Sequence, residues 1–404
     1  MSDLPSSPVT AEPPSPRARS ATLWSPALTR IVLAQALFGF GWCLYLVQPK
    51  FLTQELGVGP AEVGTTMAFG GASGVVAIFG VLALIDRRGG RRLLFLIGSL
   101  LLCAASVAYL FVDRFGPLVY VIQIGLNAAY VLAFNAAMAL VTDVAPKERI
   151  GHAFGLQSAA NLSMNAISSL VAESVSERYG WRAVFALAVL ASLVCFLFGL
   201  SLPSAPRTAA ENAPASLPPV RAPYLRVLPI LLASGLLGAA FIAMFAFHQP
   251  YALELGAERV GAFFIGFTAA ALGMRLGLGG LGDRFGHARV SIGAAVLYAA
   301  VPFAMSGLSP ALLWVYGAAL GIAHGVAYPT LTALATSRVP PRAHGRIIAA
   351  FSGSFHAGST LGAFAWGQVA AAGGYPRVFF GATAACVVAL AVLAAARLTP
   401  RTAI

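Results

Sequence analysis

Apolar residues run in blocks of about 20 or more, broken by short stretches rich in Gly, Pro and Arg. A block of that length crosses a hydrocarbon core of about 30 Å as a helix rising about 1.5 Å per residue. The pattern predicts helices at 28–49, 60–85, 93–112, 116–141, 151–173 and 182–202, and six more at 226–250, 259–281, 288–308, 310–334, 345–371 and 376–396. The period-two alternation of a membrane β-barrel is absent. Between the two sets, segment 203–225 holds Pro203, Pro206, Pro214, Pro218, Pro219 and Pro223 and reads as a linker. Residues 1–27 are rich in Pro and Ser, lack the apolar stretch of a signal peptide, and read as a disordered cytoplasmic tail. Residues 398–404 form a second short tail. The expected architecture is all-α: twelve transmembrane helices in two six-helix bundles, 28–202 and 226–397.

Composition sharpens this picture. Of 404 residues, 58% are hydrophobic and 10% charged, against about 25% charged in ordinary soluble domains. Water could not solvate such a surface, but lipid can. The net charge of +12 is spread over short loops, not gathered into a patch, which argues against nucleic acid as a partner. With the N-terminus in the cytoplasm, 19 Lys and Arg residues fall on that side and 6 on the other. This positive-inside bias puts both termini in the cytoplasm. Arg275 is the one cation left at membrane depth. Cys43, Cys103, Cys195 and Cys386 each stand alone in an apolar run, with no disulfide or metal-ligand spacing.

The two halves repeat. Asp86-Arg87-x-Gly89-x-x-Arg92 recurs as Asp283-Arg284-x-Gly286-x-x-Arg289, 197 positions later. Arg149-Ile150-x-x-Ala153-Phe154 recurs at Arg346-Ile347-x-x-Ala350-Phe351 with the same offset. Val63-Gly64 and Val260-Gly261 keep it too. Gln48-Pro49 and Glu55-Leu56-Gly57 reappear as Gln249-Pro250 and Glu254-Leu255-Gly256. An even number of helices per half makes the repeat parallel, which puts a binding site between the halves near the midplane.

On these residues the chain resembles the major facilitator superfamily over about 28–397. The two D-R-x-G loops after the second and eighth helices carry the resemblance. Asp143-x-x-Pro146-x-x-Arg149 and Gly180-Trp181-Arg182-x-x-Phe185 support it. The run Gly321-Ile322-Ala323-His324-Gly325-Val326-Ala327-Tyr328-Pro329 looks like the tenth helix of bacterial efflux permeases. The resemblance implies a secondary transporter of the bacterial inner membrane that moves a small molecule by alternating access, without a cofactor and as a monomer. It also implies a cytoplasmic conformational latch of Asp86, Arg87, Gly89, Arg92, Asp143, Arg149, Asp283, Arg284, Gly286 and Arg289. Charge-assisted bonds from such residues can hold one arrangement closed. The family's glycine four before the Asp is Gly279 in the second loop but Leu82 in the first. Two marks of drug–proton antiporters are missing: no Arg or Lys lies between Arg114 and Lys147, and the fifth helix has no proline.

Polar residues inside a membrane helix usually face a cavity or another helix. In the fifth helix Gln157, Asn161 and Asn165 recur every four residues and span about 80° of one face. In the fourth, Gln123 and Asn127 share a face. The second half contributes His324 with Tyr328, His356 and Arg275. These nine residues are the candidate substrate contacts. No Asp or Glu lies at mid-membrane; the nearest, Glu173, sits close to an outer helix end. Such a lining suits a neutral or anionic organic solute, and any proton coupling would fall to a histidine.

Three other readings stay open at this point. Met244-x-x-x-His248, with Met274, suits copper and hence metal uptake. Import of a metabolite is a second, and a non-transporting receptor or scaffold a third. No H-E-x-x-H, paired intramembrane Asp or G-x-S-x-G points to an enzyme.

Overall fold

The computed structural model describes residues 25–85, 87, 89–146, 149–204, 224–277, 284–340 and 343–396. Its helices in chain order are α1 Pro26–Gln54, α2 Pro60–Leu84, α3 Gly90–Tyr109, α4 Pro117–Val144, α5 Ile150–Tyr179 and α6 Trp181–Gly199. The second half follows with α7 Tyr224–Glu254, α8 Ala262–Gly277, α9 His287–Met305, α10 Pro310–Thr336, α11 His344–Gly373 and α12 Tyr375–Ala395. Below, the end where the chain begins α1 and leaves α12 is the inner end, and the opposite one the outer end.

Local chemistry explains several boundaries. Ser25 caps α1 by accepting from the Leu28 N–H at 3.1 Å, and Pro26 follows with its φ already helical. α1 tightens to a 3₁₀ turn at Leu44–Val47 just before Gln48-Pro49. α7 breaks at Phe247 just before Gln249-Pro250. Proline has no N–H for the carbonyl four residues back, so each Gln-Pro interrupts its helix at the same place. Gly89 and Gly286, equivalent in the repeat, lie at φ 70° and 87°, where a Cβ would clash. The other positive-φ glycines pair the same way: Gly57 with Gly256, and Gly180 with Gly374.

Within the first half α4 packs on α3 and α2, and α6 on α3 and α1; the second half repeats this with α10, α9, α8, α12 and α7. Small residues bring helices close. A side chain at Gly317 or Gly321 of α10 would strike the α8 backbone, and one at Gly358 of α11 would strike α7 at Gly235. The halves meet mainly along α2–α11 and α5–α8. Gly64 of α2 there touches Ala363 and Gly367 of α11.

Nine of the helices, among the described residues, are long and apolar enough to cross a bilayer. The other three are α5, α8 and α11. α8 is short at 16 residues in its described part. α5 and α11, at 30 residues each, are long enough but rich in amides, hydroxyls and glycine. Both lie on the seam between the halves, so their polar faces meet protein instead of lipid. This also explains why α5 runs on to Tyr179, six residues past its predicted end at 173. Hydrophobicity falls there because Glu173 and Glu177 turn toward the other half.

The predicted N-tail lies outside the described residues up to position 24, as do linker residues 205–223 and the C-terminal residues from 397. Asp86 and Asp283 of the expected latch lie outside them too, as does Gly279 before the second loop.

Candidate functional site

A cavity of about 250 Å³ opens between the halves. The first half lines it with Trp42, Tyr45 and Gln48 of α1, Met67 and Gly71 of α2, and Gln123 and Asn127 of α4. The second lines it with Phe241, Phe245 and Gln249 of α7 and Phe355, His356, Ser359 and Thr360 of α11. Aromatic side chains and amides share the lining. Trp42 donates its indole N–H to the Leu126 carbonyl at 3.1 Å and packs on Tyr130 with ring centroids 4.5 Å apart. Phe241 stacks on Phe245 at 4.8 Å.

Gln123 is 5% exposed, and its Oε1 has no hydrogen-bond partner. Asn127 donates to the Gln123 carbonyl at 3.2 Å. Two helices pass close here: a Cβ at Gly70 would strike the Asn127 amide, and one at Gly71 the Thr360 side chain. His356 is exposed to the cavity and makes no side-chain hydrogen bond with a described residue. The lining contains no carboxylate, lysine or arginine.

Three of the nine candidate contacts, Gln123, Asn127 and His356, therefore line this cavity. The other six are elsewhere. His324 stands behind the wall: its Nδ1 lies 3.2 Å from the Tyr298 hydroxyl, and its ring packs on Phe241 at 4.9 Å and Phe355 at 5.6 Å. Tyr328 packs on Phe351 and Phe355. The α5 amide row turns toward α1: Asn161 accepts from Gln35 at 2.7 Å and Asn165 from Cys43 at 3.2 Å. Gln157 is fully buried with neither amide atom bonded. Arg275 is exposed near the inner end of α8. His248 is fully buried, donates from Nδ1 to the Met244 carbonyl at 2.8 Å and stacks on Phe263 at 4.0 Å. Its partner in the Met-x-x-x-His pair thus binds it through the backbone and not through sulfur. No group of three or more His, Cys, Asp or Glu side chains fit for a metal occurs among the described residues.

The outer end of the cavity is closed by contacts that the sequence reading did not anticipate. Glu173 of α5 is 2% exposed and accepts three bonds: from Lys50 Nζ at 3.0 Å, Val260 N–H at 2.7 Å and Gly261 N–H at 2.8 Å. The last two reach across to the other half. A Cβ at Gly261 would occupy the place of the carboxylate. Lys50 also donates across the seam to the Glu258 carbonyl. Gln249 binds the first half twice, donating to the Leu46 carbonyl at 2.8 Å and accepting from the Lys50 N–H at 3.4 Å. Arg259 forks onto the Glu177 carboxylate. Between described residues, the hydrogen bonds and ion pairs joining the halves all lie at this end or at Thr268, whose hydroxyl meets the Leu162 carbonyl at 3.5 Å. The signal was visible: Gln48-Pro49 and Gln249-Pro250 stood out as a repeat, with Lys50 next to the first.

At the inner end, Arg91 pairs with Asp143 and donates to the Ala139 carbonyl at 3.1 Å, while Arg92 donates to the Leu200 carbonyl. These bonds tie the start of α3 to the ends of α4 and α6. Arg87, Arg149, Arg284 and Arg289 are exposed.

A halved bundle with one end clamped and a cavity at its centre is the architecture of a carrier. The family model of the Major Facilitator Superfamily matches residues 31–279 and 252–403. The chain belongs to that superfamily and is a multi-pass membrane transporter of its fold. It is 26% identical over 368 residues to the multi-drug resistance efflux pump PmrA of Streptococcus pneumoniae, covering 86% of this chain and 90% of that one. It is 25% identical over 280 residues to the MFS-type transporter YuxJ of Bacillus subtilis, covering 65% and 69%. Among solved structures, the nucleoside transporter NupG superposes with a TM-score of 0.73 at 15% identity, over 92% of this chain and 99% of that one. A D-xylose–proton symporter gives 0.67 at 14% identity, over 91% and 96%.

Proposed function

We propose that this transporter exports a small neutral or anionic organic solute across a bacterial inner membrane, with both termini in the cytoplasm. The observation that carries the reading is the cavity lining: aromatic walls, free amide and imidazole groups, and no fixed charge. A buried site without a carboxylate offers a cation only the attraction of the aromatic faces, about 2 kcal/mol when desolvated, against a larger loss of hydration. Three further observations support the direction and topology. The arginine bias supports reading the inner end as cytoplasmic. The tenth-helix run resembles efflux permeases. A relative covering most of the chain is named as an efflux pump.

Alternating access follows from the clamp. In this state the bonds around Glu173 and Gln249 hold the outer end shut, so solute exchanges on the inner side; their rupture turns the cavity outward. Gln123 and Asn127 supply hydrogen bonds, Trp42, Phe241 and Phe355 supply flat contact, and His356 is the titratable group of the lining suited to a coupling proton.

The test is uptake from the medium, by energised inside-out proteoliposomes, of a panel of neutral, anionic and cationic aromatic solutes. Accumulation of neutral or anionic members is expected. Accumulation of cations alone would overturn the reading of the lining.

A further inference from the structure

We infer that the cavity selects neutral aromatic solutes that carry an O–H or N–H group, and that Gln123 Oε1 is the acceptor for that hydrogen. This rests on the carrier reading above and narrows its substrate class from neutral or anionic solutes to neutral hydrogen-bond donors.

Most hydrogens of the lining are already committed within the chain. A hydroxyl or an indole has one hydrogen to donate, and four such groups line the cavity. Trp42 donates to the Leu126 carbonyl at 3.1 Å and Tyr45 to Ser106 Oγ at 2.8 Å. Ser359 and Thr360 donate to the Gly238 and His356 carbonyls, each at 2.9 Å. Three of the four lining amides donate to the protein as well: Gln48 to the Tyr109 hydroxyl, Asn127 to the Gln123 carbonyl and Gln249 to the Leu46 carbonyl.

Acceptors are what remains. Gln123 is the fourth amide; it is 5% exposed, and its Oε1 has no partner. Its nitrogen end faces α2, where a Cβ at Gly70 would come within 3.0 Å of Nε2. The oxygen is the end turned away from that helix. Buried amide oxygens are ordinarily paired, and an unpaired one on a cavity wall is set for a donor that the cavity takes up. The Ser359 and Thr360 oxygens keep their lone pairs, and the His356 imidazole has a nitrogen able to accept.

This surplus of acceptors sorts solutes by chemistry. A carboxylate accepts only, so its oxygens meet lone pairs with few hydrogens between them. An ammonium has hydrogens but loses its hydration to a lining without a carboxylate. A phenol or an aromatic N–H sets its ring against Trp42, Phe241 or Phe355 and its hydrogen on Gln123.

The experiment measures binding to the full-length protein in detergent at about pH 7, where a phenol is neutral. The probes are 2-naphthol, 2-methoxynaphthalene, 2-naphthoate and 2-naphthylmethylammonium. Wild type should bind 2-naphthol about tenfold more tightly than the methyl ether, which keeps the ring and the oxygen but lacks the hydrogen; that is the range of one net hydrogen bond. The naphthoate and the ammonium should bind more weakly than 2-naphthol. Gln123→Met, similar in shape but without the amide oxygen, should bring 2-naphthol down to the level of the ether. Gln123→Asn, whose amide is set back by one methylene, should reduce the preference, and it reads the same site if the methionine variant does not fold. Equal binding of 2-naphthol and its ether by wild type, tighter binding of the naphthoate or the ammonium, or a preference undiminished in either variant would overturn the assignment. Uptake by energised inside-out proteoliposomes keeps the two readings apart. Uptake that ignores the donor leaves the carrier standing and sinks this assignment, whereas a donor preference in binding without any uptake does the reverse.

Discussion

Lys50 and Glu173 form an ion pair 3.0 Å long with side chains only 4% and 2% exposed. Both belong to the first half, yet each also binds the second, Lys50 through the Glu258 carbonyl and Glu173 through two N–H groups of the Val260–Gly261 turn. The charge pair is thus a hub whose outer bonds must break whenever the cavity turns outward.

Glu173→Gln should release the outer end. The change leaves the Lys50 charge buried without its partner, a situation that costs about 3–5 kcal/mol in folded proteins. Separation of the halves relieves it by admitting water. In a background without the native cysteines, labelling from the outer side of a cysteine placed at Ala246, a cavity-lining residue 3% exposed, by a membrane-impermeant maleimide should rise, and the thermal midpoint should fall. The double variant with Lys50→Gln should recover much of the midpoint.

Gln249→Leu should loosen the same end through a different route. It removes two bonds between the halves, each worth about 0.5–1.5 kcal/mol net. Gln48→Leu, at the equivalent repeat position, touches only the Tyr109 hydroxyl of its own half. Outer labelling should therefore increase for Gln249→Leu and stay at the wild-type level for Gln48→Leu.

His356 and His324 should separate in a binding assay. His356 faces the cavity, whereas His324 packs behind Phe241 and Phe355. His356→Ala should change solute affinity by about tenfold or less, the range of one lost hydrogen bond, with little loss of stability. His324→Ala should lower the thermal midpoint first, because it empties an aromatic-lined space.

Asp143→Asn should slow transport without weakening binding. It removes the partner of Arg91 at the inner end, far from the cavity. An ion pair this close to the surface contributes at most about 1 kcal/mol to stability. A fall in turnover with an unchanged dissociation constant is expected. Loss of binding would contradict a latch role for the inner loops.

The membrane helices were legible because lipid demands long apolar runs, and the repeat was legible because its turns need particular residues. Boundaries failed where burial came from protein: α5 outran its predicted end because Glu173 and Glu177 are covered by the second half. The cavity was half legible. Gln123, Asn127 and His356 announce themselves as polar residues in apolar helices. Trp42, Phe241, Phe245 and Phe355 do not, since an aromatic residue on a membrane helix reads the same whether it faces lipid or solute. Gln157 and Asn161 share a face as predicted, but helical spacing cannot say which neighbour that face meets. The outer clamp was missed for a related reason. A lysine and a glutamate 123 positions apart near helix ends look like ordinary interfacial charges until the fold brings them together.

Among the described residues the six left-handed glycines fall into three matched pairs, one member in each half. A side chain at any of them meets backbone sterics whatever surrounds it, so these positions have little freedom to drift. The residues between them are under no such tie, as Gln48 and Gln249 illustrate: one partner serves its own half, the other bridges to its neighbour. The chain thus keeps a symmetric skeleton while distributing unequal tasks over it. The unequal bonds set which face the resting carrier shows, because the bridging partner holds one end shut while its counterpart leaves the other half free to move.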